Sequence, residues 1–342
     1  MKIVTSNHHF KHAPEIELIP GNVGAIFEKP ERAKIVHDNL LAAKIGPMIE
    51  PAPFEEKSVL AVHTAAYYQF LCGAHDEWRK LQIDNNPLPC VWPLHRMRPN
   101  KPDSFIARLG SFFFDGTAPI TGGTAEAAKV ASSIATTATD AVSAGDNAAF
   151  ALCRPPGHHA GADYGGGYCF LNNAAIAAQR LLDSGASKVA LLDVDYHHGN
   201  GTQDIFYSRP DVFFASVHGD PVDEFPYYTG YADETGSHKG EGFNLNIPLA
   251  KGSNFEQWQS AVLHCTKRIT DYKADALVVS LGLDTFKDDP ISFFTLETVD
   301  YLKVGQLLAS LKLPTVLVFE GGYAVDDLGK NTANVLLGFE NN

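Results

Sequence analysis

The stretch KVALLDVDYHHGNGTQD, residues 188–204, decides the fold class of this chain. Its first half is a continuous apolar run, and its second half holds acids, histidines and glycines. A continuous apolar run is typical of a strand in a parallel sheet whose two faces are both covered by helices. Polar residues after the carboxyl end of such a strand lie where open parallel sheets form their binding sites. The stretch therefore predicts an α/β fold with a site along one edge of its sheet.

The same pattern, an apolar run that ends in polar residues, recurs along the chain. The other apolar runs occupy 147–153, 211–218, 274–284 and 314–322, and a short strand-like KIVTS begins near the N-terminus. Helical patterns occupy 30–45, 63–81, 122–144, 172–185, 255–272 and 296–311. Strands that alternate with helices in this way predict a parallel sheet with helices on both faces. We expect one domain over residues 1–342.

The composition excludes some classes of partner. The 342 residues carry 27 Lys and Arg against 40 Asp and Glu, a net charge of −13. Nucleic acids and anionic membranes attract a basic surface, so the sequence favours neither and instead suits a small cationic ligand. No apolar run is long enough to span a bilayer, and the N-terminus lacks the apolar core of a secretory signal. We therefore expect a cytoplasmic protein, whose five scattered cysteines are reduced.

Residues 83–103 interrupt the regular pattern with a segment rich in Pro and Asn that carries Trp92. The segment is too polar for a core element and too apolar at its centre for a free linker. We interpret it as a functional loop or an interface segment within one domain.

Three residues at two strand ends form a candidate metal site. Asp195 and His197 are two apart, so their side chains can face the same side where the run 188–195 ends, and Asp284 ends the run 274–284. Two carboxylates and one imidazole leave a divalent ion with open positions for water and substrate, as a catalytic site requires. The alternative reading of Asp195 and His197 is a capping acid beside a surface histidine.

Further candidates lie at two other strand ends. His158 and His159 follow a rigid Arg-Pro-Pro-Gly turn, which suits a positioned pair for acid and base chemistry near neutral pH. The alternative is an exposed pair in a loop. Tyr323 follows two glycines, which would let its phenol donate a hydrogen bond to a developing oxyanion. The alternative is a solvated tyrosine in a turn.

Together these blocks resemble the zinc-dependent, histone-deacetylase-like amidohydrolases of the arginase/deacetylase superfamily. The matching blocks are RPPGHHA (154–160), GYCFLNNAA (167–175), LLDVDYHHGNGTQDIFY (191–207), FFASVHGDP (213–221), SLGLDTFKDDP (280–290) and EGGY (320–323). The resemblance implies an open parallel sheet of about eight strands. Within the family, the blocks are most similar to bacterial acetylpolyamine amidohydrolases, and 83–103 resembles the loop with which those enzymes dimerise and narrow the entrance of the active site.

The resemblance also implies roles for matching residues. Asp195, His197 and Asp284 would bind one Zn²⁺ ion per subunit, for which Fe²⁺ or Co²⁺ could substitute. His159 would be the general base and then the general acid, with His158 as its electrostatic partner, and Tyr323 would bind the oxyanion. In the second shell, Asp193 would orient His158 and Asn200 would orient His159. Arginase-like enzymes bind two metals through D-x-H-x-D, whereas here Asp195-Tyr196-His197 is followed by His198 and Gly199 with no second carboxylate, which favours one metal.

Potassium and substrate contacts follow from the same resemblance. Asp193 and Ser216 would hold a structural K⁺ ion, and a second K⁺ site would be formed by Phe206, Val212 and Phe243; plain strand packing is the alternative for both.

Gly167, Tyr168 and Phe225 would line the substrate tunnel, although the two aromatic residues would also suit a core. Asp115 would bind the distal ammonium of the substrate, with Asp103, Asp288 and Asp289 as alternatives. The positions at which related polyamine enzymes carry glutamates fall on Ile106 and Thr117.

The resulting hypothesis is a homodimeric enzyme that hydrolyses the acetyl amide of small cationic amines such as acetylputrescine, acetylcadaverine and acetylspermidine. A deacetylase of acetyl-lysine in proteins or peptides is the main alternative, because it shares every catalytic residue. A catalytically inactive protein that only binds acylated amines is a third possibility. Neither a nucleic acid nor a membrane is expected as a partner.

Overall fold

A computed structural model describes residues 1–341 of the chain. Its centre is a sheet of eight strands in the order β4-β1-β5-β10-β9-β6-β7-β8, and every neighbouring pair is parallel. The remaining strands, β2 and β3, form an antiparallel hairpin outside this sheet. The strands are β1 (Lys2–Val4), β2 (Ile16–Ile19), β3 (Asn22–Ala25), β4 (Met48–Ile49), β5 (Ala148–Ala151), β6 (Val189–Asp193), β7 (Val212–Gly219), β8 (Asn244–Leu249), β9 (Ala276–Leu281) and β10 (Thr315–Phe319).

Helices cover both faces of the sheet. They are α1 (Glu31–Ala43), α2 (Glu56–Leu60), α3 (Ala65–Lys80), α4 (Phe105–Phe112), α5 (Thr124–Ser143), α6 (Asn173–Asp183), α7 (Asn200–Phe206), α8 (Phe255–Tyr272), α9 (Asp300–Ala309) and α10 (Val325–Glu340). Alternate residues of one strand enter two different cores, because successive side chains of a strand point to opposite faces. In β10, Val316 and Val318 pack with α3, α5 and α6, whereas Leu317 and Phe319 pack with α1, α8, α9 and α10.

The predicted α/β architecture is confirmed. Each of the five apolar runs contains a strand of the parallel sheet, and the six helical patterns contain α1, α3, α5, α6, α8 and α9. The sequence interpretation missed β8, whose half-buried residues alternate and include Pro248; proline is tolerated at this position because β8 is an edge strand. It also missed α4 and α10, and the polar centre of α10 includes Asn331 and Thr332, which are buried.

Two segments outside the sheet matter for the site. We call β2, β3 and their Pro20–Gly21 turn, residues 16–25, the wall hairpin; Leu18 N donates to Gly116 O at 3.0 Å and attaches it to the chain before α5. Residues 83–103 form neither helix nor strand and run over the surface from α3 to α4. Among the described residues, no helix combines the length and apolar character that crossing a bilayer requires.

Candidate active site

The carboxyl ends of β6 and β9 bring the three candidate metal ligands together. The Nδ1 atom of His197 lies 3.0 Å from Asp284 Oδ2 and 3.3 Å from Asp195 Oδ1, and one nitrogen or oxygen atom from each residue lies within 4.8 Å of the others. Both aspartates are fully buried, and His197 is nearly so. The reading of Asp195 and His197 as a cap beside a surface histidine is therefore wrong.

Backbone amides fix the orientation of the two carboxylates. Gly321 N donates to Asp195 Oδ2 at 2.9 Å, and Tyr196 N donates to Asp284 Oδ1 at 2.8 Å. A Cβ atom at Gly321 would lie 2.5 Å from Asp195 Oδ2 and 2.6 Å from Asp284 Oδ2, so only glycine leaves room for both. Two oriented carboxylates and one imidazole are a donor set that suits a divalent transition metal in a catalytic site. The residues present therefore fit such an ion.

His158 and His159 lie side by side in the buried floor of the site, with their ring centroids 4.0 Å apart. His158 Nδ1 lies 3.0 Å from Asp193 Oδ2, and His159 Nδ1 lies 2.7 Å from Asn200 Oδ1. Each imidazole is thus held by one partner at Nδ1, through the same two contacts that the family resemblance implies. Since both rings are buried, the exposed-loop alternative for this pair is wrong.

The two imidazoles have opposite electrostatic surroundings. Burial acts to lower the pKa of His158, but the charges of Asp195 and Asp193 outweigh it and raise the pKa to about 10. Burial and the neighbouring charges of His158 and His197 hold the pKa of His159 well below its usual range. His158 is therefore protonated at neutral pH, whereas His159 is neutral and can accept a proton.

Tyr323 follows β10 and is held by residues from two other parts of the chain. Its backbone amide donates to Asp289 Oδ2 at 2.7 Å. The guanidinium of Arg32 lies 4.6 Å from the centre of the Tyr323 ring and donates to Gly322 O at 2.6 Å. Burial raises the pKa of the phenol well above its usual range, so Tyr323 stays a hydrogen-bond donor. The alternative of a solvated tyrosine in a turn is wrong, because Tyr323 is buried.

A cavity of about 800 Å³ opens above these residues. His159, His197 and Tyr323 lie among its lining residues, and apolar or aromatic side chains form most of its wall. The other lining residues are Glu17, Leu18, Ile19, Pro20, Gly21, Asn22, Phe27, Trp92, Phe114, Asp115, Gly116, Thr117, Gly167, Tyr168, Glu224, Phe225, Pro226, Tyr227, Tyr228, Ile291 and Phe293. The cavity has the size and composition of a small-molecule site.

The four candidate substrate contacts all line this cavity. The ring of Phe225 stands edge-on to His159 at 5.1 Å, and the ring of Tyr168 lies 5.5 Å from that of Tyr323. Gly167 has a φ of +53°, and a Cβ atom there would lie 2.3 Å from His159 Cδ2. Asp115 accepts hydrogen bonds from Gly167 N at 3.1 Å and from the Thr117 hydroxyl at 2.7 Å.

The alternative acids for the substrate ammonium do not line the cavity. Asp103 and Asp288 are exposed elsewhere, and Asp289 is buried under Tyr323. Thr117 lines the cavity, whereas Ile106 does not. Trp92 is the residue of 83–103 that reaches the cavity, where its indole donates to Phe113 O at 2.9 Å.

The residues proposed to hold potassium fall into two places. Asp193 and Ser216 are paired across β6 and β7 next to the metal ligands, and the Ser216 hydroxyl lies 2.8 Å from His218 Nδ1. Phe206, Val212 and Phe243 lie around the amino end of β7, where the Phe243 carbonyl accepts from Phe214 N at 3.0 Å.

Sequence reasoning missed two groups that support the site. The wall hairpin supplies Glu17, and its only sequence signal is a Pro-Gly turn between two short apolar stretches. A buried ion cluster supports the Tyr323 turn, since Glu28 Oε1 accepts from both Arg32 and Arg154 at 2.8 Å. Glu28 and Arg32 lie four positions apart, but nothing in the spacing indicates that Arg154, 126 positions from Glu28, joins them.

The chain is similar over nearly its whole length to proteins of known family. The family model described as the histone deacetylase domain matches residues 26–339. Acetylpolyamine amidohydrolase 2 of Pseudomonas aeruginosa is 49% identical over 340 residues, which cover 99% of each chain. Acetylpolyamine amidohydrolase of Mycoplana ramosa is 45% identical over 338 residues, again 99% of each chain. A crystal structure of acetylpolyamine aminohydrolase from Burkholderia pseudomallei superposes with a TM-score of 0.95 at 37% identity, covering 99% of this chain and 98% of that one.

Proposed function

This chain belongs to the histone deacetylase family of hydrolases, and from that premise we propose that it removes the acetyl group from small N-acetylated polyamines and diamines. One observation carries the proposal. A candidate metal triad, a neutral imidazole and a buried phenol meet at the floor of a cavity that has an apolar wall and no basic side chain other than histidine among its lining residues. Such a wall suits a methylene chain that carries an amide at one end and an ammonium at the other.

The residues divide the chemistry of amide hydrolysis among them. Asp195, His197 and Asp284 would hold a Zn²⁺ ion, which when bound supplies a Lewis acid that polarises the acetyl carbonyl and lowers the pKa of water toward about 7. Because His159 keeps its proton at Nδ1 toward Asn200 Oδ1, its Nε2 atom accepts the proton of the attacking water. The same proton then passes to the amine nitrogen as the carbon–nitrogen bond breaks, and Tyr323 donates to the carbonyl oxygen as its charge develops.

The first prediction tests the substrate class. Protein loaded with Zn²⁺ should release amine from acetylputrescine, acetylcadaverine and acetylspermidine, and much less from an acetyl-lysine peptide. A chelated sample should lose the activity and regain it when Zn²⁺ is returned. Higher kcat/KM for the peptide would favour the acetyl-lysine deacetylase instead. Binding of the acetylated amines without any release of acetate would favour the inactive binding protein.

A second prediction tests the metal site through Gly321. The variant Gly321→Ala should retain less than about a tenth of the bound zinc and of the activity, because its methyl group displaces two ligand carboxylates. Elemental analysis of purified protein measures the metal directly. Gly73→Ala makes the same change within α3, where the nearest side-chain atom is 3.9 Å away, and should keep the metal and stabilise the fold slightly. Equal zinc content in the two variants would contradict the assignment.

The homodimer belongs to the same proposal. Leu94 and Met97 in the segment 83–103 are 69% and 58% exposed, and Tyr228 at the cavity is 93% exposed. Leu94 N lies 3.2 Å from Met97 Sδ, so these two exposed side chains are adjacent, and an exposed apolar patch is typical of an interface. Light scattering of the purified protein measures the mass. The two potassium sites, the single-domain organisation and the cytoplasmic location stay predictions from the sequence.

A further inference from the structure

The side-chain amide of Asn200 has two ends that are not interchangeable. Its Oδ1 atom lies 2.7 Å from His159 Nδ1, and an acceptor oxygen at this place keeps a proton on that nitrogen. If the amide were flipped, its NH₂ group would face Nδ1 and would move the proton of the neutral imidazole to Nε2. His159 could then take no proton from water at Nε2. An aspartate would not create this requirement, because both ends of a carboxylate accept.

Tyr164 is the side chain that distinguishes the two ends of the amide. Its hydroxyl donates to Asn200 O at 3.4 Å. Since this bond uses the only proton of the hydroxyl, a lone pair faces the amide, and Asn200 Nδ2 donates to it at 3.3 Å. Burial raises the pKa of the phenol above its usual range, so the hydroxyl keeps its proton. In the described part of the chain, the other acceptor for Nδ2 is His159 O, at the longer distance of 3.5 Å.

The surrounding residues fix the ring of Tyr164. A Cβ atom at Gly161 would lie 2.3 Å from Tyr164 Cε1, so the ring packs directly on this glycine. Gly161 N also donates to Tyr164 O at 3.0 Å and closes a short turn after His159. The ring of Phe114 stands edge-on to that of Tyr164, with the centroids 5.7 Å apart. Tyr164 is not among the residues that line the cavity, so it acts on the site from behind the catalytic floor.

We propose that Tyr164 is a positioning residue, whose hydroxyl sets the orientation of the Asn200 amide and thereby the tautomer of His159 that can accept a proton at Nε2. This inference rests on the proposed function and deepens it, because it shows how a neutral asparagine can hold the base in its active form. An imidazole in the wrong tautomer cannot act as the base, although the substrate still binds. Loss of the hydroxyl should therefore affect kcat and not KM.

The first test removes the hydroxyl and keeps the ring. Tyr164→Phe should lower kcat for acetylputrescine about 3- to 10-fold and change KM less than about twofold, because one hydrogen bond fewer opposes the flipped amide. Tyr272→Phe is the matched control, since it also removes a hydroxyl that donates to a backbone carbonyl, Pro210 O. It should keep the kcat of the wild type.

A second substitution separates this role from a merely structural one. Asn200→Asp replaces the amide by a carboxylate, either end of which accepts from His159 Nδ1. With Asn200→Asp alone as the reference, the further change Tyr164→Phe should alter kcat less than about twofold. The same loss in both backgrounds would overturn the inference, because the hydroxyl would then act independently of the amide.

A spectroscopic measurement reads the tautomer without turnover. In ¹⁵N NMR of zinc-loaded protein labelled at histidine, the signals missing from His159→Ala identify His159. The wild type should carry the proton on Nδ1, Tyr164→Phe should carry it on Nε2 in a larger share of molecules, and the double variant should return it to Nδ1. An unchanged tautomer in Tyr164→Phe would overturn the role of Tyr164. If the wild-type enzyme hydrolyses no acetylated amine, the proposed function fails, whereas the tautomer still decides the role of Tyr164.

Discussion

Replacing His159 by alanine should lower kcat for acetylputrescine about 10²- to 10⁴-fold. Replacing His158 by alanine should lower kcat by a factor at least about ten times smaller. His159 is the neutral member of the pair, because burial and the neighbouring charge of His158 hold its pKa well below its usual range. It is therefore the group that can take a proton from water and return it to the amine. The charges of Asp195 and Asp193 raise the pKa of His158 to about 10, which favours its protonated form and makes it the poorer base.

Kinetics on metal-loaded variants measure this difference. Zinc content and thermal unfolding must match the wild type, because both histidines are buried beside the metal ligands. His264→Ala removes an exposed imidazole from α8 and serves as the matched control with unchanged kcat. A larger loss in His158→Ala than in His159→Ala would exchange the two roles.

Replacing Tyr323 by phenylalanine should leave the bound metal and KM nearly unchanged and lower kcat about 10²- to 10³-fold. The ring remains packed between Arg32 and Tyr168, so the variant loses only the hydroxyl group. That hydroxyl stays protonated because burial raises its pKa, and in the proposed mechanism it donates to the oxygen on which charge develops. An interaction made mainly in the transition state lowers kcat rather than substrate binding.

Tyr272→Phe is the control for this change. It also removes one tyrosine hydroxyl, which donates a hydrogen bond to Pro210 O at 2.8 Å. Tyr272 ends α8 and does not line the cavity. The control should keep wild-type turnover. Near-wild-type turnover in Tyr323→Phe would remove the phenol from the mechanism.

The meeting of the residues at the floor of the cavity was predictable, because each follows a strand of one parallel sheet. Asp195, Asp284 and Tyr323 each follow an apolar run, and the carboxyl ends of parallel strands meet at one edge whatever the order of the strands. The five runs therefore predicted which residues meet without the topology being known. Their burial and exact partners depend on packing, but their proximity follows from the fold class.

The cavity wall was not predictable in this way. Glu17 and Tyr168 are 151 positions apart in the chain, and their contact depends on how a two-stranded hairpin packs outside the sheet. From the sequence, a glutamate between two apolar residues of a strand is as compatible with a solvent-exposed side chain as with a buried one. Tertiary packing alone decides that it points inward.

The wall hairpin places part of the cavity wall outside the sheet that positions the candidate metal ligands. Residues 16–25 share no strand pairing with the eight-stranded sheet, and residues 17–22 of them line the cavity without contributing a candidate metal ligand or proton-transfer group. We therefore expect mutations there to change which amines fit the cavity while the buried strands keep their packing. A library confined to this hairpin is the shortest route to relatives that hydrolyse neutral or longer amides with the same chemistry.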